Sequence, residues 1–200
     1  MSPGADAAPG ADADTDAAVV AADAATGDAA TEAGAMCDLG VLPVMPALTS
    51  EVVIEGADGG AAPAPTGGDV EGLWTYTKIT LHLAAAAQGQ VDPAASMITG
   101  RGFIELKAGA FRQLSDTTTV LSTSVVGKVT RVGLTKATGT YTVAAPALTF
   151  DATCREASAD SSGLGDVAFS RIDATSALMH VATQSQLGKA TLVIALSRQP

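Results

Sequence analysis

Between Gly72 and Arg198 the chain alternates apolar and polar residues, and glycine, proline or aspartate interrupts the alternation at short intervals. This period of two is typical of β-strands with one buried face, since successive side chains point to opposite sides of a sheet. The segment Leu73–Leu83 is rich in threonine, isoleucine and aromatic residues, which favour strands. No sustained helical periodicity occurs in the region. The pattern therefore predicts an all-β domain.

About nine strand segments follow one another in this region, separated by short turns. The clearest hairpin joins Gly139–Val143 to Ala147–Thr153 through a turn that ends at Pro146. Segment 84–97 is predicted to hold a short helix before Gly89 or to form a long loop. The other predicted strands are Gly102–Ala108, Ala110–Leu114, Thr118–Ser124, Lys128–Thr135, Val167–Ile172, Ala177–Thr183 and Ala190–Arg198. Antiparallel strands in this number commonly form a sandwich or close into a barrel, which removes their edges. We expect an antiparallel up-and-down barrel of about eight strands.

Acidic residues are distributed unevenly along the chain. Residues 1–68 hold eleven Asp and Glu and no Lys or Arg, whereas residues 69–200 hold ten acidic and eleven basic residues. Charge of a single sign, mixed with Ala, Gly and Pro, is typical of disorder. We therefore predict a disordered acidic tether over 1–36, an apolar island with a Gly/Pro linker over 37–68, and the β-barrel domain over 69–200. Ser50–Glu55 is a candidate edge strand. Neither part is basic enough to bind nucleic acid.

The first residues of the chain lack the basic and apolar regions of a signal peptide. Two alternatives stay open: a cytoplasmic protein with an acidic tail, or an exported protein whose signal lies upstream of Met1. We favour an extracytoplasmic location, in the cell envelope or secreted, because Ser2–Asp28 resembles the tether that follows the lipidated cysteine of bacterial lipoproteins. A membrane is then contacted only through a lipid anchor upstream of Met1. Cys37 itself follows Met36 and an acidic stretch, which does not fit a lipidation site.

The chain has two cysteines, Cys37 and Cys154. Their separation excludes the local pairs that zinc and redox motifs require. They are either two independent buried thiols or a disulfide that joins the island to the domain. We favour the disulfide, which requires an oxidising compartment.

One short motif resembles a known family. Gly72-Leu73-Trp74, at the head of the first domain strand, is similar to the Gly-x-Trp signature of lipocalins, which are eight-stranded up-and-down barrels. The segment Gly139–Asp151 is similar to a hairpin of bacterial lipocalin-like domains. The resemblance implies that Trp74 closes the base of the barrel and that Arg198, near the last strand, packs on it as a cation–π partner.

Catalytic and metal motifs are weakly represented in the sequence. His82 and His180, the two histidines, fall on separate predicted strands, where ordinary strand-face positions are the usual explanation. No HExxH or GxSxG motif occurs, and Gly100-Arg101-Gly102 lacks the third glycine of a dinucleotide fingerprint. We therefore expect no cofactor, no metal site and no catalytic residue.

Aromatic residues offer the best candidates for a binding site. The interior of a barrel of this size is either filled by side chains or holds one small ligand. Candidate ligand-binding residues are Tyr76, Phe103, Tyr141 and Phe150. Three hypotheses follow: a monomeric, exported or surface-tethered lipocalin-like domain that binds a small apolar ligand or an envelope partner; a structural or interaction module with a filled barrel; and an enzyme of unrecognised type.

Overall fold

The computed structural model describes residues 36–56, 60–158, 167–185 and 188–200. The predicted disordered tether lies outside these residues, apart from Met36. The described residues belong to one compact unit, Met36–Pro200. They form one 3-10 helix, Ala85–Ala87, and nine strands: β1 (Thr49–Ile54), β2 (Gly72–Leu83), β3 (Val91–Lys107), β4 (Ala110–Thr123), β5 (Gly127–Ala144), β6 (Ala147–Ala157), β7 (Val167–Arg171), β8 (Ser176–Ser185) and β9 (Gly188–Arg198).

Strands β2 to β9 form a closed antiparallel barrel. Each strand pairs with its neighbour in the chain, and β9 pairs back onto β2 from Trp74↔Arg198 to Leu83↔Ala190. The predicted all-β, up-and-down barrel of eight strands is therefore confirmed. We call the end at which β2 begins and β9 ends the base, and the opposite end the top.

Strand β1 is a ninth strand outside this ring. It runs parallel to the upper part of β2, from Thr49↔Lys78 to Ile54↔Leu83. Strand β3 pairs only with the lower part of β2, between Gly72 and Thr75. Strand β1 occupies the place that β3 leaves, and Ser50 Oγ accepts a hydrogen bond of 2.9 Å from the Ile98 backbone N–H. The strand predicted at Ser50–Glu55 is thus present as β1, which pairs with β2 at the edge of the sheet and also contacts β3.

The barrel core is built from alternate residues of each strand. On β2, Trp74 and Tyr76 face inward, and a bulge before Lys78 shifts the alternation so that Ile79 also faces inward. The buried inward-facing residues of the other ring strands include Ile98, Ile104, Leu106, Phe111, Ala137, Tyr141, Leu148, Val167, Phe169, Ala177, Met179, Val181, Ala190, Ile194 and Leu196.

Several strands are longer than the sequence predicts. The predicted segments Ala110–Leu114 and Thr118–Ser124 join into β4, and Lys128–Thr135 and Gly139–Val143 join into β5. The residues between them contain no proline, so the hydrogen-bond ladder continues across them. The prediction for segment 84–97 is wrong in part. The short helix before Gly89 is present, but the rest of the segment is not a loop, because β3 already begins at Val91.

One side of the barrel wall is incomplete in the described part of the chain. Strand β6 pairs with β7 at only two positions, Ala147↔Ala168 and Leu148↔Val167, both near the base. Above them, Thr149–Ala157 has no strand partner on that side among residues 36–56, 60–158, 167–185 and 188–200. Among the described residues, a gap in the wall therefore separates the upper parts of β6 and β8.

Candidate functional site

Trp74 lies at the base of the barrel and is fully buried. Its indole N–H donates to the Val70 carbonyl at 3.0 Å, and its ring meets Phe169 edge-on at 5.8 Å between centroids. Two guanidinium groups lie over the ring, with Cζ 4.7 Å from the centroid for Arg171 and 5.8 Å for Arg198. Trp74 and Arg198 thus pack as the resemblance implies. Arg171, which the sequence did not reveal as a partner, lies closer to the ring.

Gly72 explains why glycine precedes this tryptophan by two positions. A Cβ atom at Gly72 would lie 2.9 Å from Arg198 Nε and 3.2 Å from Trp74 Nε1. The residue also has a φ of 143°, which side chains rarely adopt. The Gly-x-Trp spacing therefore follows from the packing of Arg198 against the indole.

Tyr76 sits directly above Trp74 on the inner face of β2. It packs on the backbone of β3, where a Cβ atom at Gly102 would lie only 2.4 Å from the ring. Burial raises the pKa of Tyr76 far above its ordinary value. The side chain is therefore a neutral phenol at physiological pH.

Two more of the predicted ligand-binding residues also face the interior. Tyr141 and Phe150 lie opposite one another on β5 and β6, and Phe150 meets Phe111 edge-on at 4.9 Å. Burial, followed by the negative charge of Glu71, raises the pKa of Tyr141. Tyr76, Tyr141 and Phe150 therefore lie on the inner face of one barrel.

The prediction that Phe103 is a ligand-binding residue of the interior is wrong, because Phe103 faces outward. Its neighbour Ile104 points into the barrel, so Phe103 lies on the outer face with Leu114 and Leu39. The Arg112 guanidinium lies 5.5 Å from the ring centroid. Phe103 is fully buried because the segment 37–45 covers it, and it does not line the barrel interior.

A disulfide attaches this covering segment to the barrel. The sulfur atoms of Cys37 and Cys154 are 2.07 Å apart. Cys154 faces outward on β6, and Glu156 on the same face accepts a hydrogen bond from the Cys37 N–H. Arg112 donates to the carbonyl oxygens of Leu39 and Val41. One covalent bond and several hydrogen bonds thus hold segment 37–45 against the outer wall.

His82 and His180 lie on the outer faces of β2 and β8, with β9 between these strands. Both are buried, and neither Nδ1 atom has a partner in the described part of the structure. His180 Nε2 lies 3.1 Å from Ser170 Oγ, which accepts a hydrogen bond from the Thr66 N–H. Burial, and then the charge of His82, lowers the pKa of His180. Ser170 and His180 are 2% and 5% exposed, so a substrate has no approach to this pair.

The inner face of β4 to β6 is polar, which the sequence analysis missed. Gln113, Ser115, Thr117 and Thr119 face inward from β4, opposite Arg131, Thr135 and Ala137 on β5. On β6, the bulge at Thr153 turns Ala152 and Arg155 inward. A search for inward-facing polar residues would have found this wall once β4 and β5 were recognised as continuous strands.

Several inward positions of this wall are open to solvent. Ala152, Arg155 and Ala157 are exposed, and Thr117, Thr119 and Leu121 are partly exposed. A filled, closed barrel would bury them all. Their exposure follows from the gap between β6 and β8, and it identifies the upper half of the interior as an accessible site above the aromatic base.

The turn between β7 and β8 holds a strongly stabilised carboxylate. Asp173 accepts hydrogen bonds from the backbone N–H groups of Thr175 at 2.7 Å and Ser176 at 2.8 Å, and from both hydroxyls. These donors favour the charged form and lower the pKa of Asp173 to about 2.

We therefore predict that the Asp173 carboxyl titrates at about pH 2 in the folded protein. Because this pKa lies below that of the unfolded chain, the carboxylate stabilises the fold fully above the unfolded value. That stabilisation is lost as the pH falls toward 2. Carboxyl carbon NMR shifts, assigned by comparison with Asp173→Asn, measure the midpoint. A midpoint near the ordinary value of 3.8 would contradict the turn geometry.

A shallow groove of about 200 Å³ lies outside the barrel base, between Glu71, Glu105, Lys107 and Arg198. It carries charges of both signs, and Arg198 is already packed on Trp74.

Within the described ranges, no group of three or more His, Cys, Asp or Glu side chains is placed to hold a metal ion. No helix of these ranges is long and apolar enough to cross a membrane. Neither a protein-family model nor a curated protein matches the chain.

Proposed function

We propose that this protein is an exported, surface-tethered carrier with a lipocalin-like barrel, and that it binds a small apolar ligand in the upper half of the barrel. One observation carries the proposal: inward-facing residues above Tyr76, Tyr141 and Phe150 are open to solvent through the gap between β6 and β8. Ligand sites are mostly apolar concavities with a few polar groups. The aromatic base and the apolar inner faces of β2, β8 and β9 supply the apolar surface that such a site needs.

The disulfide supports the exported part of the proposal. Disulfides persist in oxidising compartments and are rare in the cytosol. Cys37 lies directly after the acidic residues 1–36, and its bond to Cys154 fixes the point at which the tether joins the barrel. Residues 1–36 carry seven acidic residues and no basic residue, and this charge favours keeping the nearly neutral barrel away from a surface.

We expect Ala152→Trp to weaken binding of the neutral fluorescent probe N-phenyl-1-naphthylamine by about tenfold or more, which corresponds to roughly 1.4 kcal/mol. Ala152 faces inward and is exposed, so an indole there would fill the accessible site without displacing packed residues. Fluorescence titration measures the affinity.

Thr149→Trp is the matched control, since Thr149 is exposed on the outer face of the same strand. It should bind the probe as the parent protein does. Equal affinities in both variants would place the probe elsewhere. No saturable binding to the parent protein would remove the carrier proposal.

The second candidate is an interaction module with no ligand. Exposed apolar side chains in and next to the covering segment favour it: Met36, Val41 and Val44 are 78%, 88% and 86% exposed. Exposed apolar side chains are common at sites of protein contact when they form a contiguous patch. The probe titration separates the two candidates, because an interaction module has no need of an accessible interior.

A further inference from the structure

The segment between β1 and β2 is anchored at two distant points of the outer wall. Beside the end of β1, the Glu55 carboxylate accepts a hydrogen bond of 3.2 Å from the Ala62 N–H. At the other end, Gly67 forms a parallel β-bridge with Ser170 of β7. Strands β2, β9 and β8 lie between these anchors in the ring. We call residues 60–67, which join the two anchors, the strap.

The outer face between the two anchors is buried along one line. The line passes through His82 on β2, Val193 on β9, His180 on β8 and Ser170 on β7, which are 8%, 6%, 5% and 2% exposed. Val193 and His180 lie opposite one another in the pairing of β8 with β9. The next outer position of β8, Ala182, is exposed. Since the outer face of an antiparallel sheet usually meets water, the burial of this line indicates that the strap covers it.

Ser170 connects the strap to His180. Its Oγ accepts a hydrogen bond of 3.0 Å from the Thr66 N–H and lies 3.1 Å from His180 Nε2. The Nδ1 atoms of His180 and His82 are buried and have no hydrogen-bond partner in the described part of the chain. A neutral imidazole carries one N–H and no charge, whereas an imidazolium carries an N–H on both nitrogens and a full positive charge. Protonation beneath the strap therefore costs free energy that contact with water would recover.

Few charged groups face the two histidines. Among the described residues, those on the strands beside them are Glu51 and Glu55 on β1, Lys78 on β2 and Lys189 on β9. The charges of Glu51 and His82 interact, but Glu51 is already ion-paired with Lys78 at 2.6 Å. The strap itself holds no ionisable side chain, and His180 forms no ion pair within the described residues. His180 is therefore the histidine whose positive charge has the least compensation.

We propose that the strap is a pH-sensitive device, and that protonation of His180, together with His82, releases residues 60–67 from the outer wall. Burial, followed by the charge of His82, lowers the pKa of His180 beneath the docked strap. The released form exposes the ring to water and binds the proton more readily. Docking is therefore most stable above the ordinary histidine value of 6.5 and weakens as the pH falls below it. The device acts on the outer wall, so it is independent of what the interior binds.

Amide hydrogen exchange of the full chain, followed by NMR at about pH 7.5 and about pH 5, tests the proposal in the range where histidine titrates. Rates are corrected for the intrinsic pH dependence of exchange. We expect the protection of the Thr66 and Gly67 amides to fall by about fivefold or more at the lower pH, the weaker end of typical coupling between two sites. Amides of the β4–β5 pair, which the strap does not touch, should keep their protection.

His180→Gln, which keeps a neutral polar group that cannot be protonated, should make the protection of the strap independent of pH. Glu55→Gln is the matched control, because it removes the charge at the other anchor and keeps an oxygen that can accept from Ala62. It should leave the pH dependence in place. Loss of the pH dependence in Glu55→Gln, or its survival in His180→Gln, would overturn the assignment to His180.

Titration of the imidazole Cε1–H signals gives a second readout that does not need a histidine variant. Thr66→Pro removes the N–H that binds Ser170 Oγ and so loosens the strap. Because coupling between proton binding and docking is reciprocal, the His180 midpoint should rise toward 6.5 in this variant. An unchanged midpoint in Thr66→Pro would overturn the proposal. Equal protection of the strap at the two pH values in the parent protein would overturn it as well.

Discussion

Removing the disulfide by the double substitution Cys37→Ala and Cys154→Ala is expected to lower the free energy of unfolding by about 3–5 kcal/mol. The bond joins residues 117 positions apart, so its loss frees a long loop in the unfolded chain. The native state also loses an anchor. Segment 37–45 covers Phe103 and Leu114 on the outer wall, and its undocking would expose apolar surface to water.

Urea denaturation of the full chain, with and without a reductant, measures this effect. The reduced parent protein should match the double variant, because both lack the same bond. Val126→Ala, at an exposed position far from the disulfide in the turn after β4, should change the unfolding free energy by less than about 0.5 kcal/mol. A loss below about 1 kcal/mol in the double variant would mean that Arg112 and the contacts of Phe103 hold the segment without the disulfide.

The architecture could be predicted from sequence because its causes are local. Period-two alternation and turn residues determine where strands form, and the need to protect strand edges favours a closed barrel or a sandwich. The Gly-x-Trp motif is local, but its contact with Arg198 is not: Gly72, Trp74 and Arg198 meet because β2 and β9 close the ring. The same reasoning predicts breaks within β4 and β5, but the hydrogen-bond ladder runs through both without interruption.

The site was harder to predict because it depends on which face each residue occupies. Phe103 is as aromatic as Tyr76, but one position along β3 decides between the outer wall and the interior. The bulge at Thr153 likewise turns Arg155 inward, and no feature of the sequence indicates it. Gln113 and Arg155 come together only through the pairing of three strands. Register, rather than residue type, determines the chemistry of the interior.

Replacing Trp74 with alanine is expected to lower the free energy of unfolding by about 3–5 kcal/mol. The indole is fully buried, packs edge-on against Phe169 and donates a hydrogen bond to Val70. Its removal leaves a large cavity at the base and an unpaired carbonyl. It also leaves Arg171 without the ring on which it lies, and the Arg171 Nη1 atom is already buried without a hydrogen-bond partner in the described residues.

Chemical denaturation of Trp74→Ala, followed by circular dichroism, measures the loss. Val143→Ala, near the base but half-exposed, should lower the free energy of unfolding by less than about 0.5 kcal/mol.

Arg171→Ala and Arg198→Ala measure the separate cation–π contributions of the two arginines to stability. Each substitution is expected to lower the free energy of unfolding by about 0.5–2 kcal/mol. The larger loss is expected at Arg171, because its guanidinium lies closer to the Trp74 ring. A larger loss at Arg198 would show that cross-strand packing of Trp74 against β9, rather than the cover supplied by β7, closes the base. A loss below about 2 kcal/mol in Trp74→Ala would mean that the base collapses around the missing ring.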